Sequence, residues 1–577
     1  MKNLLNKLEQ NKDKIFELVA IILIAIFAFS ITPKQMQNDI FYTVTIGNYI
    51  RENGIDNLDH FSWHEGLPYE YPHWLYDVGM SYIYNLGGFD AIYISTCIFS
   101  ILLGISIYLV CSRLGKNKLL AFIVTIAVLY LIKGYITARA QLVTFILFIW
   151  LVFNIERFIE SRKIINAVLL ILIHVLIANL HIAVWPFTFV LYLPYIAEYL
   201  VSELSDIVLY KKIQILYLKY RTKQINKNIE YSKFKKDKEK YSKKLYLLTE
   251  KLINTQDKAE RIKIKRLENI GKEYKITIKK NKNVRWLIII MIIAIFTGLL
   301  TPLGKSPFTY TYLTMKGNTV KNINEHLPLT LINNTPMLCT LIILIALITF
   351  TRIKIRLSDL FMIGGLTYLM FSSRRQQSML VLIGSVAFTR MLIQFFEIFL
   401  NKHLDDMIKK CFNKFTAFIL IATMLAWSLH LYSKIENTKY VNESTYPVQA
   451  SEWILENLDV KNIKLFNEYN YGSYLLFKGI PVFIDSRADL YAPEFNTPSG
   501  KATDGNDIFM DFINSSNIST YYGDIFEKYN ITHVIVYKNS KIAMLIRNAD
   551  AEKYNEIYSD DNFVIYEVIW KRGRLFL

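Results

Sequence analysis

Asp39 is a carboxylate in an unexpected place. It stands six residues past Pro33, directly after the apolar run ELVAIILIAIFAFSIT (17–32), where a membrane-crossing helix should just have ended. Similar polar residues recur at the ends of other apolar runs. His73, Trp74 and Asp77 lie in YPHWLYDVG, Arg139 and Gln141 in TARAQL, and Asn179 and His181 in ANLHIAVW. Glu325 and His326 follow in NINEHLP, and Arg374 and Arg375 in SSRRQQ. A carboxylate beside a bilayer can take the proton of an incoming hydroxyl. Arginines at the same depth can hold a phosphate through paired hydrogen bonds and stabilise its charge as it leaves. A phosphate at that depth, with the rest of its molecule in lipid, describes a polyprenyl-phosphate sugar. The expected chemistry is attack of an acceptor hydroxyl on the anomeric carbon. Asp39 is then the catalytic candidate, and His73, Trp74, Arg139, Asn179, His181, Glu325, Arg374 and Arg375 are candidates to bind substrate.

The chain that must position these groups has 577 residues, 53% of them hydrophobic, and a mean hydropathy of +0.24. It is too long for one compact domain and too apolar for an ordinary soluble protein. Eleven candidate spans fall at about 15–32, 89–111, 118–136, 141–156, 164–181, 183–201, 286–301, 336–351, 357–372, 377–399 and 411–432. The first has a basic flank, yet its core is long and no small-residue cleavage site follows, so it reads as a retained helix rather than a leader. Basic residues concentrate before the first span and in 112–118, 156–163, 203–285, 352–356 and 401–410. With the N-terminus inside, all six segments become cytoplasmic. The first loop (33–88) and the tail (433–577) are then outside, facing away from the cytoplasm of a plasma-membrane protein.

The net charge of +18 is uneven. Residues 203–285 hold 25 Lys or Arg and 10 Asp or Glu, which leaves about +3 for the rest. That distribution argues against a nucleic-acid binder. Cys97, Cys111, Cys339 and Cys411 show no disulfide or metal spacing. The insert 203–285 has no proline and reads as a helical hairpin turning near Asn254–Asp257, either solvated or lying on anionic lipid or a partner. The tail reads as a small α/β domain. Its expected helices are YPVQASEWILENL, YYGDIFEKYN and AEKYNEIY, and its expected strands IKLFN, SYLLF, IPVFID, THVIVY and NFVIYEVIW. The expected organisation is a transmembrane module (1–202), the basic insert (203–285), a second transmembrane module (286–432) and the tail (433–577).

A transporter or lipid-linked glycan flippase is the rival function. It would place polar groups at mid-span, where this chain is almost uniformly apolar apart from His174. A non-enzymatic scaffold is a third reading, in which the outer polar residues would not converge.

The stretches NDIFYTVTIGNYIRENGIDNLDHFSW, PHWLYDV, ARAQLVTF, ANLH, TPLGKSPFTYTYL, NEHLP and NEYNYGSYLLFKGIPVFIDSRADLYAPEF carry a resemblance. Their order is a span, an outer acid, a long first loop with a short amphipathic helix, further spans and an outer α/β domain. It resembles the C-type glycosyltransferase (GT-C) superfamily, most closely a group of bacterial GT-C-like membrane proteins. Protein mannosyltransferases, aminoarabinose transferases and oligosaccharyltransferase catalytic subunits are more distant members. The resemblance implies a polytopic α-helical membrane protein using a polyprenyl-phosphate sugar donor and a glycan, protein or lipid acceptor. It implies Asp39 as the catalytic or metal-binding acid. It also implies Glu325 as a second acid that would help hold a divalent cation such as Mg or Mn, with metal-free transfer the alternative. The tail motif implies either that Tyr471, Asp485 and Arg487 face acceptor or donor, or that Arg487 forms a buried ion pair with Asp485 or Asp489.

Overall fold

The computed structural model describes residues 12–206, 209–269, 275–332, 334–400, 414–496 and 507–570. Each of the eleven apolar runs is mainly helical over its described residues, and the run 183–201 is divided into two helices. Among the described residues, six helices are long and apolar enough to cross a membrane, and five further apolar helices run 10–17 residues. The helices of the first half are α1 (Lys12–Ile31), α2 (Asn38–Asn53), α3 (Trp74–Gly115), α4 (Lys118–Ile132), α5 (Ala140–Ser161), α6 (Ile164–Leu180), α7 (Trp185–Val190) and α8 (Leu193–Asp206). Next come α9 (Leu209–Tyr231), α10 (Lys235–Asn269), α11 (Val284–Ile295), α12 (Ser306–Lys316), α13 (Thr335–Phe350), α14 (Leu357–Ser372), α15 (Gln377–Leu400) and α16 (Lys414–Ser433). The tail holds α17 (Val448–Asn457), α18 (Tyr469–Phe477), α19 (Ile508–Asn517), α20 (Tyr522–Tyr529) and α21 (Lys541–Ala549). Its strands are β1 (Leu465–Phe466), β2 (His533–Tyr537), β3 (Tyr554–Ser559) and β4 (Phe563–Val568), in the order β1-β2-β4-β3. β1 is parallel to β2, and the remaining pairings are antiparallel.

Two large cores organise most of these elements, and a small third cluster packs Leu347, Ile355, Ile363 and Met391. One large core lies within the helical bundle and packs Phe27, Tyr108, Leu129, Phe148, Met370 and Leu382. The other joins the first loop to the tail. There Phe41 of α2 sits among Phe89, Tyr446, Tyr474 and Phe477, with ring centroids 5.0–5.8 Å away. Tail and first loop thus share one hydrophobic interior, which fixes α2 in place. Gly88 has a φ of 62°, a left-handed value that glycine adopts without strain. It kinks α3 where the first loop ends and the apolar run from 89 begins.

Four local expectations are corrected. SYLLF is helical, within α18, because its side chains are buried all round and a short continuous apolar run fits a buried helix as well as a strand. Gly472 makes that packing possible, since a Cβ there would lie 2.0 Å from the Ile484 carbonyl oxygen. IPVFID is extended but outside the sheet. It forms one isolated bridge, Val482 to Ser62, and the Asn467 side chain bonds Phe483 N and Ile484 O in place of a neighbouring strand. AEKYNEIY is mostly strand β3. Its helix-forming composition yields to pairing along β4, with a bulge between Glu556 and Tyr558. The insert is a helical hairpin, but it turns between Tyr231 and Lys235 and α10 runs unbroken through Asn254–Asp257. The basic segment 401–410 and Cys411 lie outside the described residues.

Candidate functional site

Asp39 occupies the first turn of α2, where the positive end of the helix dipole favours a carboxylate. Its neighbour Asn38 donates to the Tyr469 carbonyl at 3.0 Å, tying that turn to the tail. Arg139 is the N-cap residue of α5 and has an extended backbone. Glu325 lies in the loop before α13, and that loop is zipped to the turn before α15. Arg375 N donates to Glu325 O at 3.0 Å, Ser373 Oγ to the same oxygen at 3.2 Å, and Arg374 N to Leu327 O at 2.9 Å.

These three segments meet at one guanidinium. Arg139 Nε lies 2.8 Å from Asp39 Oδ2, and Arg139 Nη1 lies 2.9 Å from Glu325 Oε1. The side chains keep 23% exposure at Arg139, 23% at Asp39 and 47% at Glu325. Ion pairs this exposed stabilise a fold by at most about 1 kcal/mol each, so stability alone does not account for bringing them together. Burial acts against the charge of Arg139, but Asp39 and Glu325 outweigh it and hold the guanidinium more firmly protonated than usual. Burial likewise raises Glu325, but Arg139 and Arg375 outweigh it and keep the carboxyl below its ordinary value.

A second group adjoins the first. The main chain bonds Ile182 N to Pro72 O at 3.0 Å, which sets the rings of His73 and His181 edge to face with centroids 4.8 Å apart. Burial, with Arg375 and Arg139 adding to it, pushes His73 down to about 3, so it is a neutral imidazole at any ordinary pH. Arg375 acts electrostatically on Glu325 and His326 as well. Among the described residues its own guanidinium forms no hydrogen bond or ion pair. Several buried polar atoms in these same segments lack a hydrogen bond of good geometry: Asn38 Oδ1, both carboxylate oxygens of Asp77, and His181 Nδ1.

Other expected residues are placed elsewhere. Asn179 is a tether, accepting from Trp74 Nε1 at 3.2 Å and donating to Val175 O and Leu300 O. Arg374 turns its Nε onto Pro328 O at 3.3 Å. Tyr471 is fully buried, with its hydroxyl on Ile535 O at 2.8 Å. Arg487 pairs with Asp485 at 2.7 Å and also with Asp59 of the first loop at 2.6 Å, all three buried. Burial opposes the charge of Arg487, yet Asp485 and Asp59 overcome it and raise its proton affinity well above normal. Asp485 and Arg487 thus form a buried ion pair, and the Arg487–Asp59 contact ties the tail to the first loop. Asp489 is not the partner of Arg487 and accepts from Tyr310, Thr314 and Thr319.

The sequence reading did not single out Tyr469 or Asp59. Tyr469 feels the charges of Asp39, Glu325 and Arg139, and its hydroxyl donates to Ser486 O at 3.2 Å. Its position within NEYNYG, at the start of α18, was the available signal.

Asp39 and Glu325 converge as a cation site would require, but they do so on Arg139. No third Asp, Glu, His or Cys joins them, and no group of three such residues fit for a metal occurs among the described residues. Two carboxylates already bridged by a guanidinium fall short of the oxygen shell that Mg or Mn takes, so the residues present do not fit the ion.

No known protein-family profile matches the chain, and comparison with curated proteins finds no match either.

Proposed function

We propose that this chain is a membrane glycosyltransferase, similar to the GT-C superfamily, that moves a sugar from a polyprenyl phosphate to an acceptor hydroxyl at the outer face of the plasma membrane. The observation that carries the proposal is the junction itself: Arg139 holds Asp39 and Glu325 together at a partly exposed site beside Arg375 and the neutral His73.

In the proposed reaction Asp39 accepts the acceptor's hydroxyl proton, and that oxygen forms a bond to the anomeric carbon. The bond from that carbon to the phosphate oxygen breaks, and its electron pair leaves with the polyprenyl phosphate. Arg375, whose guanidinium is unpaired among the described residues, neutralises the departing phosphate. Arg139 and Glu325 fix the orientation of Asp39, and neutral His73 offers a ring nitrogen as a hydrogen-bond partner for sugar hydroxyls. The tail closes over the junction through Asn38 and Tyr469.

All eleven apolar helices cross the bilayer in this proposal, with the N-terminus inside and the tail outside, as the distribution of Lys and Arg supports. A transport path has less support. Polar residues within the apolar helices mostly bond carbonyls of their own helix, as Thr125, Asn154 and His174 do. The test supplies purified protein in lipid nanodiscs with synthetic polyprenyl-phosphate sugars and membrane extract as acceptor source. Sugar transferred together with release of polyprenyl phosphate supports the proposal. Donor crossing between leaflets of reconstituted vesicles without cleavage would replace it with the flippase reading.

A further inference from the structure

The basic hairpin carries an apolar stripe that its own packing does not use. The two helices meet through Leu218 and Ile225 of α9, both buried, with Thr255 and Ala259 of α10. At 100° per residue those α9 positions lie roughly 130° around the helix from a second apolar face. That face contains Ile213, Leu216, Tyr217, Tyr220 and Tyr231, with Phe234 in the turn beyond, and each is 57–78% exposed. The spacing of three and four residues keeps Ile213, Leu216, Tyr217 and Tyr220 on one side of the first half of α9, and Tyr231 returns to that side at its end. Lys212, Lys219, Lys223 and Lys227 project along one flank of the stripe and Arg221 along the other. None of the five forms an ion pair among the described residues. The preceding helix α8 exposes Leu193, Leu200 and Leu204 at similar spacing, so an apolar edge precedes the stripe along the chain.

We propose that α9 lies in the membrane surface, its tyrosine-rich stripe buried in the interface and its lysines on anionic lipid headgroups. Tyr is favoured at such interfaces, and lysines can lay their methylenes along apolar surface while the ammonium reaches a headgroup. Each Lys or Arg near an anionic leaflet contributes about 1 kcal/mol, so four or five suffice to select charged lipid. Both ends of the hairpin leave from apolar helices, α8 and α11, which holds it close to the bilayer. This inference needs the chain to sit in a membrane and does not depend on sugar transfer.

The test is hydroxyl-radical footprinting of the full chain in nanodiscs, read by mass spectrometry at Tyr217, Tyr220 and Tyr231, with Tyr521 of the tail as internal control. Discs of phosphatidylcholine alone are compared with discs containing phosphatidylglycerol. Oxidation of the three tyrosines falls about fivefold in the anionic discs and recovers in 0.5 M salt, on the scale of about a 4 Å screening length. A Lys212→Gln/Lys219→Gln/Lys223→Gln/Lys227→Gln variant loses the protection. Equal oxidation in both lipids overturns the inference, as does protection that survives in the lysine variant. Protection that scales with protein concentration overturns it in favour of a second copy of the chain.

Discussion

Two clusters of arginines and carboxylates lie near opposite ends of α5, about 25 Å apart along the helix. At its start, Arg139 holds Asp39 and Glu325. Near its end, Glu156 binds Arg356 and Arg390, both at 3.0 Å, Arg390 reaches Asp359 at 2.8 Å, and Tyr195 donates to Glu156 at 3.0 Å. The second cluster pairs two cations with two anions, and its side chains are only 10–20% exposed. It is closed, and it locks α5, α14 and α15 together. The first cluster is more exposed, is assembled from three distant loops and helix starts, and has beside it Arg375, which is unpaired among the described residues. Similar residue types therefore stand in different settings. Where charges are buried and balanced they fix helices; the more open cluster is the one to which the proposed function assigns the substrate.

Exchanging the damage between the clusters sharpens this contrast. Arg139→Ala is expected to reduce sugar transfer by about a thousandfold, the scale on which positioned electrostatic groups act in catalysis. It should lower stability by roughly 2 kcal/mol or less, because its two pairs are partly solvated. Activity per folded molecule and thermal unfolding, measured on the same preparation, check both. Arg390→Ala should do the reverse. It leaves Asp359 buried without its cation and Glu156 with Arg356 alone, at a cost of about 3–5 kcal/mol, while transfer per folded molecule is retained. If the two variants behave alike, the distinction between an open and a closed cluster fails.

A smaller effect comes from Glu468, the residue before Tyr469. Burial pushes its carboxyl up to about 7. Between about pH 4.5 and 7 the folded form keeps a proton that the unfolded chain has released. Its contribution is complete below pH 4.5 and is lost as pH rises through 7, amounting to about 3 kcal/mol. Glu468→Gln should flatten the unfolding profile between pH 5 and 8, and an unchanged slope would refute that assignment. Smallest is Asn179→Ala, which removes the tether to Trp74 and Leu300. It is expected to destabilise by about 1 kcal/mol and to change the KM for donor less than Arg375→Ala does.

Much of this arrangement was legible before any coordinates. The eleven apolar runs announce themselves by hydropathy, and each is mainly helical over its described residues, though 183–201 divides into α7 and α8. Asp39, Arg139 and Glu325 stand out because polar side chains at the ends of greasy runs are costly to place. Their meeting was not legible, since Arg139 and Glu325 are 186 residues apart and nothing local encodes the contact. The same limit hid Asp59, whose partner Arg487 is 428 residues away. The misread tail segments fail for another reason. SYLLF and AEKYNEIY are short enough that burial and strand pairing override composition.

The most direct measurement is release of polyprenyl phosphate from a polyprenyl-phosphate sugar by Asp39→Asn protein beside wild type, at matched folded concentration in the same nanodiscs. Loss of release by a factor of about 10²–10⁴ with unchanged thermal unfolding is the predicted result. Release at the wild-type rate would contradict the role given to the junction of α2, α5 and the Glu325 loop.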